Sequence, residues 1–253
     1  MRHRSHITFT VVCLGMAGLF SGCADKAQDT VDRAIDTHGG KAFDSFFLEF
    51  DFRDRHYTAA RDRGLFEYTR EFTDTTGKIK DVLSNDGFVR YRNGAMLEIP
   101  QERKNAFTRS VNSVIYFMLL PFGLNDDAVN KKWLEETTIR GEPYQVIQVT
   151  FDQAGGGEDH EDIFLYWFHS EKHTMDYFAY SYNTEGGGIR FREATNPRRV
   201  GGILIQDYIN YKPADESIPV DSLQPMFIAG RLQKLSEIRL ENVNVEGFDQ
   251  RDK

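Results

Sequence analysis

The stretch Ile163–Asn183, IFLYWFHSEKHTMDYFAYSYN, constrains the fold of this chain more than any other. Side chains alternate across an extended strand. Phe164, Tyr166 and Phe168 therefore fall on one face, and Ile163, Leu165 and Trp167 on the other. A turn follows at His169-Ser170-Glu171-Lys172-His173. Beyond it Tyr177 opposes Phe178, which shares its face with Tyr180 and Tyr182. Most antiparallel sheets keep one wet face. A hairpin apolar on both faces must be covered on both. A strongly curved sheet can enclose such side chains and leave room for a ligand. A plain two-layer core without a void satisfies the same pattern.

The rest of the chain supplies layers for this hairpin. From Ser45 the apolar period is two: Phe46, Leu48, Phe50 and Phe52 alternate with Phe47, Glu49, Asp51 and Arg53. Leu65 to Thr73 alternates more weakly. Thr76-Gly77, Asp86-Gly87 and Asn93-Gly94 are hairpin-turn signals. They separate short strands at Lys78–Ser84, Phe88–Arg92 and Met96–Ile99. Between Lys104 and Leu120 the period becomes helical, with Phe107, Val111, Val114, Ile115, Met118 and Leu119 on one stripe, and Pro121 ends it. Strands resume at Lys132–Arg140, Tyr144–Phe151, the aromatic hairpin, Ile189–Ala194 and Gly201–Tyr211. A loop from Lys212 to Pro225 leads to a last strand at Glu237–Glu246. The expectation is a mainly β (α+β) fold of about ten antiparallel strands, one domain over 30–253. One helix precedes the strands and another interrupts them.

The N-terminal helix is expected from Thr30, as N-cap, to His38, with Val31, Ala34, Ile35 and His38 on one stripe. Gly39 follows where an αL cap wants glycine. His38-Gly39-Gly40 also looks like part of a lipase oxyanion hole. No serine has glycine two residues before it, so the G-x-S-x-G elbow is missing. We therefore expect His38 to pack against the sheet with no serine in reach, and Gly39 to have positive φ.

The first 22 residues read as an address. Arg2 and Arg4 precede an apolar run from Ile7 to Phe20, too short for a comfortable membrane span. Leu19-Phe20-Ser21-Gly22-Cys23 resembles the bacterial lipobox. That resemblance implies a signal peptide at 1–22, and lipidation of Cys23 as the new N-terminus. Two or three acyl chains suffice for stable anchoring. A polar tether at 23–29 would follow. An ordinary secretory peptide with an incidental cysteine is the alternative. Ala24 in place of aspartate favours the outer membrane, and the periplasmic face is preferred over the cell surface. Cys13 and Cys23 are the two cysteines, too few for a zinc cluster or a disulfide framework. The net charge of −8 argues against nucleic acid and against electrostatic docking on anionic lipid.

Other polar clusters have plain readings. Glu158, Asp159, His160, Glu161 and Asp162 form an acidic hairpin tip without EF-hand spacing. His160, His169 and His173 lie in a loop and a turn, a weak basis for a metal site. Glu67, Glu71, Asp74 and Asp81 could in principle supply paired carboxylates, but nothing singles out two of them. Pro197-Arg198-Arg199 reads as a charged turn, with lipid-headgroup contact as the other reading. No cofactor, metal or catalytic residue is expected, and the chain is read as a non-enzyme.

The lipobox, the helix ending in AIDTHGG, the strand meander, SVNSVIYFMLLPFGL and YQVIQVTF followed by an acidic loop together resemble the DUF6503 group of Bacteroidota-type lipoproteins. That group is similar to the lipoprotein-carrier fold of LolA and LolB. The resemblance implies a curved antiparallel half-open β-barrel with an apolar cavity for acyl chains, and a lid helix at Ala106–Leu120. Arg90 and Arg92 are candidates, by location, for the carrier's cavity arginine. Candidate cavity residues are Phe46, Phe50, Tyr91, Phe117, Phe164, Tyr166, Phe168 and Tyr177. The expected function is non-covalent binding of a lipid or other hydrophobic ligand by a membrane-anchored envelope lipoprotein. An interaction module with a filled core and an envelope protein partner is the alternative, and a hydrolase is the third reading.

Overall fold

Tight turns set the first half of the chain. Asn93 and Gly94 both have positive φ (50° and 83°), the combination that matches the twist of two paired strands. Asn93 Oδ1 also accepts the Lys78 N–H at 2.9 Å, tying neighbouring turns together. The computed structural model describes residues 18–153, 162–183 and 186–248, with the backbone alone at 18–25.

The chain begins with α1 (Gly18–His38), then a meander: β1 (Ser45–Phe52), β2 (Arg55–Asp62), β3 (Leu65–Asp74), β4 (Gly77–Ser84), β5 (Gly87–Arg92) and β6 (Ala95–Leu97). Helix α2 (Gln101–Leu119) leads to a second meander: β7 (Val129–Ile139), β8 (Glu142–Phe151), β9 (Ile163–His169), β10 (Met175–Tyr182), β11 (Gly188–Val200) and β12 (Ile203–Lys212). A short α3 (Leu223–Ile228) precedes β13 (Gln233–Ile238) and β14 (Glu241–Glu246).

The fourteen described strands form two seven-stranded antiparallel sheets. The orders are β14-β1-β2-β3-β4-β5-β6 and β13-β12-β11-β10-β9-β8-β7. β13 and β14 are consecutive in the chain yet edge different sheets, so the sheets follow one another around a trough. The far edges, β6 and β7, are joined through α2. This is a half-open barrel with a helix spanning its opening.

Three apolar clusters fill it. Phe46, Leu48 and Phe50 of β1 pack with Tyr57, Leu83 and Phe88 against Val111, Ile115, Met118 and Leu119 of α2. On the second sheet, Ile147, Val149, Phe164, Tyr166, Phe168, Phe178 and Tyr208 meet Ala27, Val31 and Ala34 of α1. The opposite face of that sheet carries Tyr144, Val146, Leu165, Trp167, Tyr177 and Phe191, roofed by Leu223 and Phe227. Phe191 and Phe227 stack with centroids 4.6 Å apart. The aromatic hairpin is thus covered on both faces, the second by a segment that reads in sequence as a loop. Each fully buried large apolar side chain contributes about 3 kcal/mol of transfer free energy.

Several expectations are corrected. The segment 23–29 is helical, not a tether: Ala27 is buried in line with Val31 and Ala34. Lys26 sits over the Trp133 ring at 4.0 Å and pairs with Glu136 at 2.8 Å. Thr30 is inside the helix and donates to the Lys26 carbonyl at 2.8 Å instead of capping it. Gly39 has φ −176°, and the left-handed residue is Gly40 at +51°. Gly39 is required for space, since a Cβ there would lie 2.7 Å from the Phe43 ring. The described strands number fourteen, where about ten were expected. β2 is one of those added, and the single last strand is two, β13 and β14. α2 ends at Leu119 because Leu120, before proline, takes an extended conformation (ψ 140°).

Candidate functional site

α2 has two working faces. Phe107, Val111, Ile115 and Met118 face the first sheet. Ala106, Arg109, Ser110, Ser113, Tyr116 and Phe117 recur at helical spacing on another stripe and line a cleft of about 560 Å³. Its remaining walls come from Arg61 of β2, Phe66 and Tyr68 of β3, Phe122 and Asp126 after α2, and Phe151 and Phe164 of the second sheet. The cleft therefore lies between the sheets, on the flank of the bridging helix.

Its lining divides by chemistry. Phe66, Tyr116, Phe117, Phe122, Phe151 and Phe164 offer ring surface. Arg61, Arg109, Ser110, Asn112, Ser113 and Asp126 are polar. Arg61 Nη1 donates to the Tyr68 hydroxyl at 2.6 Å, and its guanidinium lies 4.9 Å from the Phe122 ring centroid. Burial pushes the Tyr68 phenol up, against the pull of Arg61. Partial desolvation raises the Asp126 carboxyl, and Arg61 opposes that shift. A second groove of about 490 Å³, shared through Arg61 and Phe122, runs along Phe43, Ser45 and Arg63.

Behind the lining lies a buried ion cluster. Asp81 accepts from Arg70 (2.9 and 2.6 Å) and from Arg90 (2.6 and 2.9 Å). Arg90 stacks 3.4 Å from the centroid of Phe107, which ties α2 to the first sheet. Deeper in the second sheet, Arg192 sits among Phe117, Phe178 and Tyr180, with Nη2 donating to the Tyr180 hydroxyl at 2.9 Å.

These features occur in a chain whose sequence matches one family model over residues 6–240, the DUF6503 family, described as a family of unknown function. The chain belongs to the DUF6503 family. No curated protein matches it. Among solved structures, this DUF6503 protein is similar to a DUF1329 family protein from Desulfovibrio piger at 12% identity and TM-score 0.50, covering 86% of this chain and 92% of that one. The two share a fold. Two further matches have lower scores. A LolA superfamily protein from Nitrosomonas europaea has 11% identity, TM-score 0.45 and coverage of 87% and 91%. The Mycobacterium tuberculosis lipoprotein LppX has 10% identity, TM-score 0.32 and coverage of 64% and 90%.

Of the eight candidate cavity residues of this DUF6503 chain, Phe117 and Phe164 line the cleft. Phe46 and Phe50 are consumed by the core under α2, where Phe50 stacks on Tyr57. Tyr166 and Phe168 are wholly buried against α1, and Tyr177 lies on the other face, beneath α3. Tyr91 pairs with Met96 at the β5–β6 edge, outside the cleft lining. Arg90 belongs to the ion cluster, and Arg92 is exposed. The residues sequence reasoning missed are Arg61 and the flank of α2. The helical spacing of Ser110, Ser113 and Phe117 was the signal that could have found the latter.

Several of the other candidates have structural roles. Asp81 faces inward, whereas Glu71 pairs with Lys78 and Lys80 and Asp74 accepts from Thr76 in a turn. His169 is buried, with Nε2 on Glu142 at 2.7 Å and Nδ1 accepting two backbone N–H groups. Pro197-Arg198-Arg199 is in β11, not in a turn. Arg198 binds Asp207 and the Leu240 carbonyl, and Arg199 donates to the Thr37 carbonyl at the end of α1. The acidic tip at 158–161 and the signal peptide up to residue 17 lie outside the described residues. So does the Cys23 side chain. Among the described residues, no group of three His, Cys, Asp or Glu could hold a metal, and no helix is long and apolar enough to cross a membrane.

Proposed function

We propose that this protein is a lipid-anchored envelope protein that holds a hydrophobic or amphiphilic molecule, non-covalently, in the cleft beside α2. The observation that carries the reading is the cleft itself. Its volume of about 560 Å³ falls in the range of small-molecule sites. Aromatic rings dominate its apolar wall, and a helix that links two free sheet edges forms one side. Affinity would come from apolar burial at about 25 cal/mol per Å². The lipobox-like Leu19–Cys23 supports the anchor, and the outer membrane is the preferred location. Asp81, Glu71, Asp74 and His169 hold strands and turns together, and the proposal includes no chemical step.

One observation favours a second reading, an interaction module with a filled core. Phe46, Phe50, Tyr166 and Phe168 are packed solid. Native mass spectrometry on the full chain carrying Cys23→Ala, purified unacylated, separates the two. A co-purifying lipid, or stoichiometric uptake of an added one, is expected. A protein that stays empty across a panel of lipids would overturn the binding reading. The anchor has its own check: wild-type protein should sediment with membranes and Cys23→Ala should not.

A further inference from the structure

Among the described residues behind the cleft lining, arginines outnumber the carboxylates they pair with. Two guanidinium groups share the single carboxylate of Asp81, which leaves a positive charge in a site where the side chains of Asp81 and Arg70 are 0% and 3% exposed. Arg70 carries that charge outward. Its Nη1 donates to Ser110 Oγ at 2.7 Å, and Ser110 lines the cleft. With a lone pair engaged by a cation, the Ser110 hydroxyl points its own hydrogen away from Arg70 and becomes a stronger donor. Among the described residues that hydrogen has no acceptor.

A second cation stands behind the aromatic wall. Arg192 lies 4.3 Å from the centroid of Phe117, itself a lining residue. No carboxylate pairs with Arg192 among the described residues, and its Nε is buried without an acceptor. The chain as a whole has a net charge of −8, so this concentration of cations runs against its overall sign. Inside a low-dielectric wall such charges act at longer range than in water.

We propose that the cleft ligand is an amphiphile with an acidic head, a carboxylate or phosphate monoester, whose oxyanion accepts the Ser110 hydroxyl hydrogen while its chain lies on Phe117, Phe151 and Phe164. The proposal rests on the binding reading above and names its ligand class. An ionised acceptor makes the stronger hydrogen bond, so an acid is preferred over an alcohol of the same chain length.

The test titrates unacylated Cys23→Ala protein at pH 8 with four probes of one chain length: palmitate, palmitoyl lysophosphatidate, palmityl alcohol and methyl palmitate. One of the two acids should bind roughly 10-fold or more tighter than the neutral pair, and which one does so identifies the head group. Ser110→Ala should close most of that gap. Ser110→Asp, which gives Arg70 a carboxylate and faces the ligand with a like charge, should lose the acid while binding the alcohol as before. Equal affinity for all four probes overturns the head-group inference and leaves the binding reading standing. So does an acid preference that survives Ser110→Ala unchanged, because the recognition then lies elsewhere. If none of the four binds, the binding reading falls, and this inference with it.

Discussion

Nε2 of His38 accepts the backbone N–H of Met175 at 3.0 Å, joining the end of α1 to the start of β10 across 137 residues of sequence. The bond fixes the tautomer: the proton sits on Nδ1, which is buried without a partner among the described residues. Protonating Nε2 would set one donor against another. Burial first, and the nearby Arg199 second, lower the His38 pKa from 6.5 to about 4.

The sign of the pH dependence follows. An unfolded chain takes up a proton on His38 below about pH 6.5 and the folded chain does not until about pH 4, so stability is full above 6.5 and falls between those values. The loss should reach roughly 2 kcal/mol by pH 5. Urea midpoints measured from pH 5 to 8 check this. His38→Gln, which keeps an acceptor near the Met175 N–H, should flatten the dependence by that amount, and an unchanged slope in the variant would refute the assignment.

Neighbouring glycines should respond differently. Gly39→Ala puts a Cβ 2.7 Å from the Phe43 ring, a clash in a packed region, and should cost about 1–3 kcal/mol. Gly40 needs only its left-handed φ of 51°. Gly40→Asn should be nearly silent because asparagine tolerates that region, and Gly40→Ala should cost about 1 kcal/mol. Thermal melts of the three variants give the order.

In the ion cluster, the carboxylate matters more than either cation. Asp81→Asn leaves Arg70 and Arg90 buried together without a counter-charge and should lose about 3 kcal/mol or more. Arg90→Met leaves a one-to-one pair of Arg70 with Asp81 and should be clearly milder. Denaturant unfolding of both variants decides, and equal losses would mean that the cluster is held by its packing alone.

Filling the cleft should separate binding from folding. Ser113 is exposed on the cleft flank of α2. Ser113→Trp should lower hydrophobic-ligand occupancy about 10-fold while the melting temperature moves by no more than a few degrees. Native mass spectrometry beside a thermal melt reads both quantities.

The fold was legible where pattern and turn chemistry agreed. Phe46, Leu48 and Phe50 are buried in alternation, and Asn93-Gly94 turns the chain as its residues require. β2 was not legible. One row is Tyr57, Ala59 and Arg61 and the opposite row is His56, Thr58 and Ala60, of which Ala60 is buried, so apolar and polar residues do not alternate. Its flanking turns place Arg53 and Arg63 at positive φ, where arginine gives no turn signal, and only Gly64 beside Arg63 marks a turn. α3 was hidden by Pro219 and Pro225 and by its length of six residues. The cleft was legible only in part. Phe117 and Phe164 stand out as aromatics, but nothing in a strand pattern tells an aromatic that packs on a helix from one that faces a void. Arg61 and Ser110 matter through partners distant in sequence, Asp126 and Arg70.

The placement of β14 beside β1 has a consequence for the order of events in folding. Asn244 and Glu49 meet 195 residues apart, so β1 is synthesised with β2 to pair with but with its other edge bare. That edge stays open until nearly the whole second sheet has been made. Contacts of such separation form late and slowly, and an unpaired edge is a template for joining other chains. The first sheet is therefore most open to misassembly during the interval between its own synthesis and the arrival of its last strand.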